Sequence, residues 1–210
     1  MSVECVHSER SSRVACLDKR YSERCNWRVA EAFAETILVD RYKVIIRWNT
    51  RREQRSNNDA VFGPDIVALL PDELGARLVI GEIKSSDEER HPPQGMQYAK
   101  QNMCRQLHEI VTDDNVIFHQ FEWLFHRIRP SQGQYYQSAI QRYFSSAPNA
   151  YWVVGMLIRG VGADDRDLAA CARKLDEAIS IHTECTLSAY YLPWKVKELV
   201  LRVHEGERDV

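Results

Sequence analysis

The chain has 210 residues, of which 44% are hydrophobic, and its formal net charge at pH 7 is −2. These values are typical of globular proteins and exclude disordered, collagen-like and fibrous chains; the small negative charge also argues against a protein that coats nucleic acid without regard to sequence. The polar N-terminus lacks the apolar centre of a secretion signal, and no apolar run approaches the roughly 20 residues of a membrane-spanning helix. We therefore expect a cytoplasmic protein that does not associate with membranes.

The spacing of apolar residues predicts helices and strands in mixed order. Residues 1–25 are polar and irregular and are expected to form an N-terminal arm, and residues 26–210 a single domain. In chain order we predict a helix from about 26 to 42, a strand at 43–48, and strands at 65–70 and 77–84 joined as a hairpin. A helix at about 96–111, a short strand at 115–119 and a helix at 134–144 follow. A strand at 151–159, a helix at 164–180, a strand near 185–192 and a helix near 195–204 complete the predicted elements. This mixture favours an α/β fold around a central mixed sheet.

Charged residues stand at matching ends of the two predicted hairpin strands. Asp65 follows Gly63-Pro64 and opens the first strand, and Glu82 and Lys84 end the second. Because side chains alternate along a strand, Glu82 and Lys84 point to one face. If the strands pair as a hairpin, Asp65 lies beside that face, and two carboxylates and one ammonium group converge. The alternatives are that Asp65 is an ordinary turn residue and that Glu82 and Lys84 are a solvated pair on an edge strand.

Such a convergence predicts metal chemistry. Two carboxylates this close repel each other unless a cation lies between them, and hard oxygen ligands suit Mg²⁺, with Mn²⁺ as a substitute. A metal held this way can polarise a phosphoryl oxygen and generate hydroxide from water. A neighbouring lysine can orient that water or stabilise the charge that develops in the transition state.

The same residues resemble the motif of the PD-(D/E)XK nuclease superfamily. The match consists of Pro64-Asp65 and Glu82-Ile83-Lys84, and their flanks, GPDIVALL and LVIGEIKSS, look like the paired core strands of archaeal Holliday-junction resolvases and many restriction enzymes. The resemblance covers roughly residues 26–110. It implies a restriction-endonuclease-like three-layer sandwich, with a central mixed β-sheet flanked by helices.

The resemblance also implies an activity and a set of site residues. The chain would be a metal-dependent nuclease that hydrolyses DNA phosphodiester bonds, with Asp65, Glu82 and Lys84 as the catalytic residues. Asp65 and Glu82 would hold Mg²⁺ together with a glutamate of the upstream helix. Glu31 is the favoured candidate and Glu35 the alternative. A glutamine of the helix after the motif, Gln97 or Gln101, would contact a phosphate or a water.

Two further stretches are candidates for contact with DNA or a partner. Residues 41–55 hold six Lys or Arg against one Glu, and in the family fold this stretch lies next to the metal site. We therefore predict DNA contacts from Arg47, Arg51, Arg52 and Arg55, against the alternative of an ordinary solvated loop. Residues 118–150, rich in aromatic side chains and arginine, would be an insertion or a segment that contacts DNA or a partner. Such a stretch can also build a core or an interface.

The biological setting favoured by these observations is an endonuclease effector in bacterial restriction or anti-phage defence. Such a protein would work with a partner such as a helicase or another defence component, or as a homodimer. A Holliday-junction resolvase or a repair nuclease is the alternative within the same chemistry. An inactive nuclease fold that binds nucleic acid or protein is the alternative outside it.

Overall fold

The computed structural model describes residues 28–46, 63–99, 102–196 and 198. The first helix, α1, is described over residues 28–42. The remaining elements are β1 (Ile66–Asp72), β2 (Gly75–Ser86), α2 (Met103–Thr112), α3 (Asp114–Phe125), α4 (Gly133–Phe144), β3 (Tyr151–Arg159), α5 (Arg166–Asp176) and β4 (Thr183–Tyr191), with short 3₁₀ turns at Gln94–Met96 and Pro130–Gln132. The predicted N-terminal arm lies outside the described residues.

The four strands form one mixed sheet in the order β1-β2-β3-β4. β1 and β2 are an antiparallel hairpin, and β2, β3 and β4 are parallel to one another. Ser86, Arg159 and Tyr191 end the three parallel strands in register. The C-terminal ends of the parallel strands therefore meet at one edge of the sheet, the edge at which α/β proteins usually bind ligands. The α/β prediction with a mixed central sheet is confirmed.

Helices cover both faces of this sheet, and alternation along the strands decides which residues meet which helices. On the first face, the buried side chains of β1 and β2 pack with α2, α3, α4 and α5 (Val67, Leu69, Leu78 and Ile80). On the second face, the buried residues of α1 pack against the other set of strand positions (Ala30, Ala34 and Leu38 against Ile66, Ala68, Val79 and Ile83). Within the described parts of the chain, no helix is long and apolar enough to cross a membrane.

Three predicted elements differ from the structure. The short strand predicted at 115–119 is wrong, because these residues lie inside α3. The Asp113 side chain accepts a hydrogen bond from the Asn115 backbone N–H and so caps this helix, which buries Ile117, Phe121 and Leu124 at helical spacing. The helix predicted from about 96 begins only at Met103. The strand predicted at 43–48 is reduced to a single bridge between Ile45 and Leu69 in its described part.

Several residues of the aromatic segment at 118–150 lie in the core. Phe121, Leu124, Tyr136 and Ala139 are buried beneath the first face of the sheet. Three other phenylalanines remain about half exposed or more, at Phe118, Phe125 and Phe144. The structure therefore supports the core alternative for the buried residues, and a role of the exposed ones in binding DNA or a partner stays a prediction.

Gly81 lies where two backbones approach most closely, next to the charged end of β2. A Cβ added there would lie 2.0 Å from the Val154 carbonyl oxygen, which belongs to the backbone of β3 and cannot turn away. We expect Gly81→Ala to lower the free energy of unfolding by about 3 kcal/mol, measured by urea denaturation. Gly133→Ala is the matched control, since nothing lies within 4 Å of that Cβ position and the backbone there is helical. The control should be neutral or stabilising, and equal losses in the two variants would contradict this explanation.

Candidate active site

Asp65, Glu82 and Lys84 meet at the open end of the β1–β2 hairpin. The Lys84 Nζ lies 3.1 Å from Glu82 Oε2 and 3.7 Å from Asp65 Oδ2. Asp65 is also fixed to the neighbouring strand, because its Oδ2 accepts a hydrogen bond of 2.9 Å from the Ile83 backbone N–H. The three charged groups singled out in the sequence thus form one cluster.

The register of the hairpin explains why these residues meet. Ile66 pairs with Gly81, so Asp65, one position before the strand, falls beside Glu82. Alternation then places Glu82 and Lys84 on the first face of the sheet with Ile80, while Ile83 packs on the second face with α1. The apolar residues of β1 and β2 are buried in the core, and the charged residues lie at the end of the hairpin that is farthest from its turn.

Burial makes the negative charge on Glu82 costly. Glu82 is only 2% exposed, and its burial, together with the nearby carboxylate of Asp65, raises the pKa of Glu82 well above the 4.5 usual for glutamate. The positive charge of Lys84 and its hydrogen bond act in the opposite direction. The side chains of Asp65 and Lys84 are about one-fifth to one-quarter exposed, so the cluster is open to solvent on that side.

The donor set fits a divalent cation. Two hard carboxylates converge, and one of them is buried where a second positive charge would relieve the repulsion between them. Among the described residues, no group of three or more His, Cys, Asp and Glu side chains could hold a metal ion. A pair of carboxylates is nevertheless the usual protein contribution to a Mg²⁺ site, in which waters and substrate phosphates complete the octahedron.

The contacts that define this cluster join Asp65, Glu82, Lys84 and the Ile83 backbone, and the other predicted site residues are placed as follows. Glu31 and Glu35 are half-buried on α1, whose buried side chains pack on the second face of the sheet, away from the face of Lys84. A role for either glutamate as a metal ligand stays a prediction. Gln97 is exposed just beyond the 3₁₀ turn. The four arginines predicted to contact DNA (Arg47, Arg51, Arg52 and Arg55) and Gln101 lie outside the described residues.

The raised pKa of Glu82 predicts how stability depends on pH in the absence of metal. Because the pKa of Glu82 is higher in the folded state, the folded state binds the Glu82 proton more tightly than the unfolded state does. The folded state therefore loses stability as the pH rises from the usual glutamate pKa through the raised one. We expect thermal unfolding in a chelator to show this loss as the pH rises above the usual pKa of glutamate, 4.5. Glu82→Gln should abolish that loss, because its side chain is neutral throughout, and should melt above the wild type at the alkaline end. Parallel curves for the two proteins would contradict the prediction.

Sequence reasoning missed a second charged cluster at the same edge of the sheet. Arg159 ends β3 and is fully buried, and Asp167, on the first turn of α5, is 1% exposed. His91 bonds to this aspartate through Nδ1 at 2.8 Å. One feature of the sequence could have indicated this cluster. Arg159 directly follows eight residues of an otherwise apolar strand, and a charged residue at the end of a buried strand needs a partner of opposite charge.

Comparisons of the chain with protein-family models, curated proteins and solved structures gave no match. The resemblance to PD-(D/E)XK nucleases therefore depends on the sequence motif and stays a prediction.

Proposed function

We propose that this protein is a metal-dependent nuclease that hydrolyses DNA phosphodiester bonds at Asp65, Glu82 and Lys84. The observation that carries the proposal is the contact of one lysine ammonium with two converging carboxylates, at 3.1 Å and 3.7 Å. A structural ion pair needs only one carboxylate per lysine, and a second one raises the cost of burying Glu82. Two carboxylates held close together at such a cost are typical of catalytic and metal-binding sites.

The residues of the site have separate roles in this proposal. A bound Mg²⁺ would polarise the scissile phosphate and lower the pKa of a bound water. Asp65 and Glu82 would supply its protein ligands, and the hydrogen bond from the Ile83 backbone N–H would hold Asp65 in place. Lys84 would orient the attacking water and stabilise the negative charge that develops on the phosphoryl oxygens while the bond to the leaving oxygen breaks.

The proposal extends to fold and setting. Helices on both faces of a mixed sheet, together with the position of the motif on its hairpin, support a restriction-endonuclease-like three-layer sandwich. We favour an endonuclease effector in bacterial restriction or anti-phage defence that acts with a helicase or another defence component. A homodimeric junction resolvase or a repair nuclease would use the same site. In each case the arginines of residues 47–55 would bind DNA phosphates.

A cleavage assay tests the proposal. Supercoiled plasmid, linear duplex and single-stranded DNA are each incubated with Mg²⁺, with Mn²⁺ and with a chelator, for the wild type, Lys84→Ala and Lys174→Ala. Lys174 is the control because its ammonium lies over the ring of Tyr98, and its loss leaves both carboxylates in place. We expect metal-dependent cleavage by the wild type and the control, and none by Lys84→Ala. Cleavage that survives in Lys84→Ala, or that needs no metal, would refute this mechanism.

An inactive nuclease fold is the alternative, and melting experiments with metal distinguish it. A metal that binds only the folded protein raises its melting temperature by mass action. We expect millimolar Mg²⁺ or Mn²⁺ to raise the melting temperature of the wild type but not of Glu82→Gln. If metal leaves the wild-type melting temperature unchanged and no DNA is cut, the protein is a binding module rather than a nuclease.

A further inference from the structure

Arg159 is a buried cation whose guanidinium binds a loop. It is fully buried at the end of β3, on the same face of the sheet as Lys84, since its register partner Ser86 lies two residues beyond that lysine. Its Nη2 donates hydrogen bonds to the carbonyl oxygens of Glu88, at 2.6 Å, and Arg90, at 3.2 Å. Both carbonyls belong to the 87–95 loop, which leaves β2 immediately after the proposed site.

Asp167 compensates the charge of Arg159 and binds the loop a second time. Its Oδ1 lies 3.6 Å from Arg159 Nη1, beyond hydrogen-bond distance but close enough for strong attraction in a buried environment. The same oxygen lies 2.8 Å from Nδ1 of His91, a residue of the loop. The Tyr191 hydroxyl lies 3.1 Å from the other carboxylate oxygen and also 3.1 Å from the Asp164 carbonyl oxygen, and it can donate its one hydrogen to either. The carboxylate therefore contacts β4 as well as the loop.

The end of this 87–95 loop lies near Lys84. The Glu88 side chain accepts a hydrogen bond of 3.1 Å from the Gln94 backbone N–H, which closes the loop on itself. The next residue, Gly95, lies near the lysine stem, because a Cβ built on it would be 3.8 Å from Lys84 Cβ and 3.9 Å from its Cγ, which are van der Waals distances. The end of the 87–95 loop therefore lies beside the aliphatic stem of Lys84.

We propose that Arg159 is a positioning residue for Lys84, which acts by holding the 87–95 loop against the lysine stem. Asp167 and His91 complete the clamp from α5 and from the loop itself. A flexible lysine stem otherwise has many rotamers, and confining it places the ammonium group between the two carboxylates before substrate arrives. This inference depends on the proposed function only for its effect on catalysis, whereas the clamp itself is a statement about structure.

The test replaces the guanidinium group of Arg159 but keeps its positive charge. Arg159→Lys retains a cation opposite Asp167, so the fold survives, yet a single ammonium cannot reproduce the planar guanidinium geometry. Arg77→Lys is the matched control. Arg77 is mostly buried, forms an ion pair with Glu184 and lies near the opposite end of β2 from the site. Both variants replace the guanidinium group of a buried or mostly buried arginine with an ammonium group, and only Arg159→Lys is expected to release the loop.

Two measurements report on the clamp without cleavage. The first is hydrogen exchange of the backbone amides in the 87–95 loop, which we expect to accelerate about tenfold in Arg159→Lys and to remain as in the wild type in Arg77→Lys. The second is the side-chain NMR signal of Lys84 in ¹³C-lysine-labelled protein, identified by its loss in Lys84→Ala. This signal should shift in Arg159→Lys only. Unchanged exchange and an unchanged Lys84 signal, or equal changes in both variants, would overturn the proposal.

Cleavage kinetics then connect the clamp to catalysis. A misplaced lysine should lower kcat about 10- to 100-fold while KM stays near the wild-type value, because Lys84 acts on the reacting phosphate rather than on the rest of the DNA. A rise in KM with normal kcat would overturn the positioning role. If the wild type cuts no DNA, the proposed function fails, and exchange and NMR alone decide whether Arg159 holds the loop against Lys84.

Discussion

Asp65→Asn should lower the rate of metal-dependent DNA cleavage by about a thousandfold and abolish metal binding measured by calorimetry. A thousandfold loss corresponds to about 4 kcal/mol of transition-state stabilisation, the scale of a lost metal ligand. Asparagine is chosen because its side-chain oxygen can still accept the hydrogen bond that Asp65 receives from the Ile83 backbone N–H. The substitution therefore removes the negative charge and leaves the local geometry in place.

The control for this prediction is an aspartate at the other end of the same strand. Asp72 ends β1 and forms an ion pair with Arg142, on the side of the hairpin away from Lys84. Asp72→Asn should bind metal and cleave DNA as the wild type does. If Asp65→Asn retained cleavage, or if both variants lost it equally, the assignment of Asp65 as a metal ligand would be wrong.

The second large effect is expected on stability. Asp167→Asn should lower the free energy of unfolding by about 3–5 kcal/mol, measured by urea denaturation, because it leaves the fully buried Arg159 without its compensating charge. Among the described residues, two nitrogens of Arg159, Nε and Nη1, already have no hydrogen-bond partner, so no other acceptor replaces the lost carboxylate charge. The loss should be largely independent of salt, since ions in solution screen a buried pair weakly.

Asp164→Asn is the matched control for this loss. Asp164 pairs with Arg166, which is 71% exposed, and this pair holds the pKa of Asp164 well below its usual range, chiefly through the hydrogen bond from the Arg166 side chain. An exposed pair of this kind contributes little to stability despite its good geometry. A large loss in the control, or a negligible loss in Asp167→Asn, would show that burial does not decide the importance of these aspartates.

The sequence by itself determined the hairpin and its charged end. Alternation along the predicted strand placed Glu82 and Lys84 on one face, and pairing of the two predicted strands as a hairpin placed Asp65 beside that face. β3 was also predicted, because residues 150–158 are a continuous apolar run rich in β-branched and aromatic side chains. These features depend on near neighbours in the chain, so local patterns were sufficient.

Only the tertiary structure decided what the segments between these strands become. Residues 115–119 are rich in strand-forming side chains, yet the Asp113 cap and the burial of Ile117 make them helical. The partners of Arg159 come from a loop about 70 positions earlier, and its counter-charge from the helix that follows β3. Sequence periodicity cannot predict these contacts of Arg159. They depend on how the parallel strands and their crossover helices bring distant parts of the chain to one edge of the sheet.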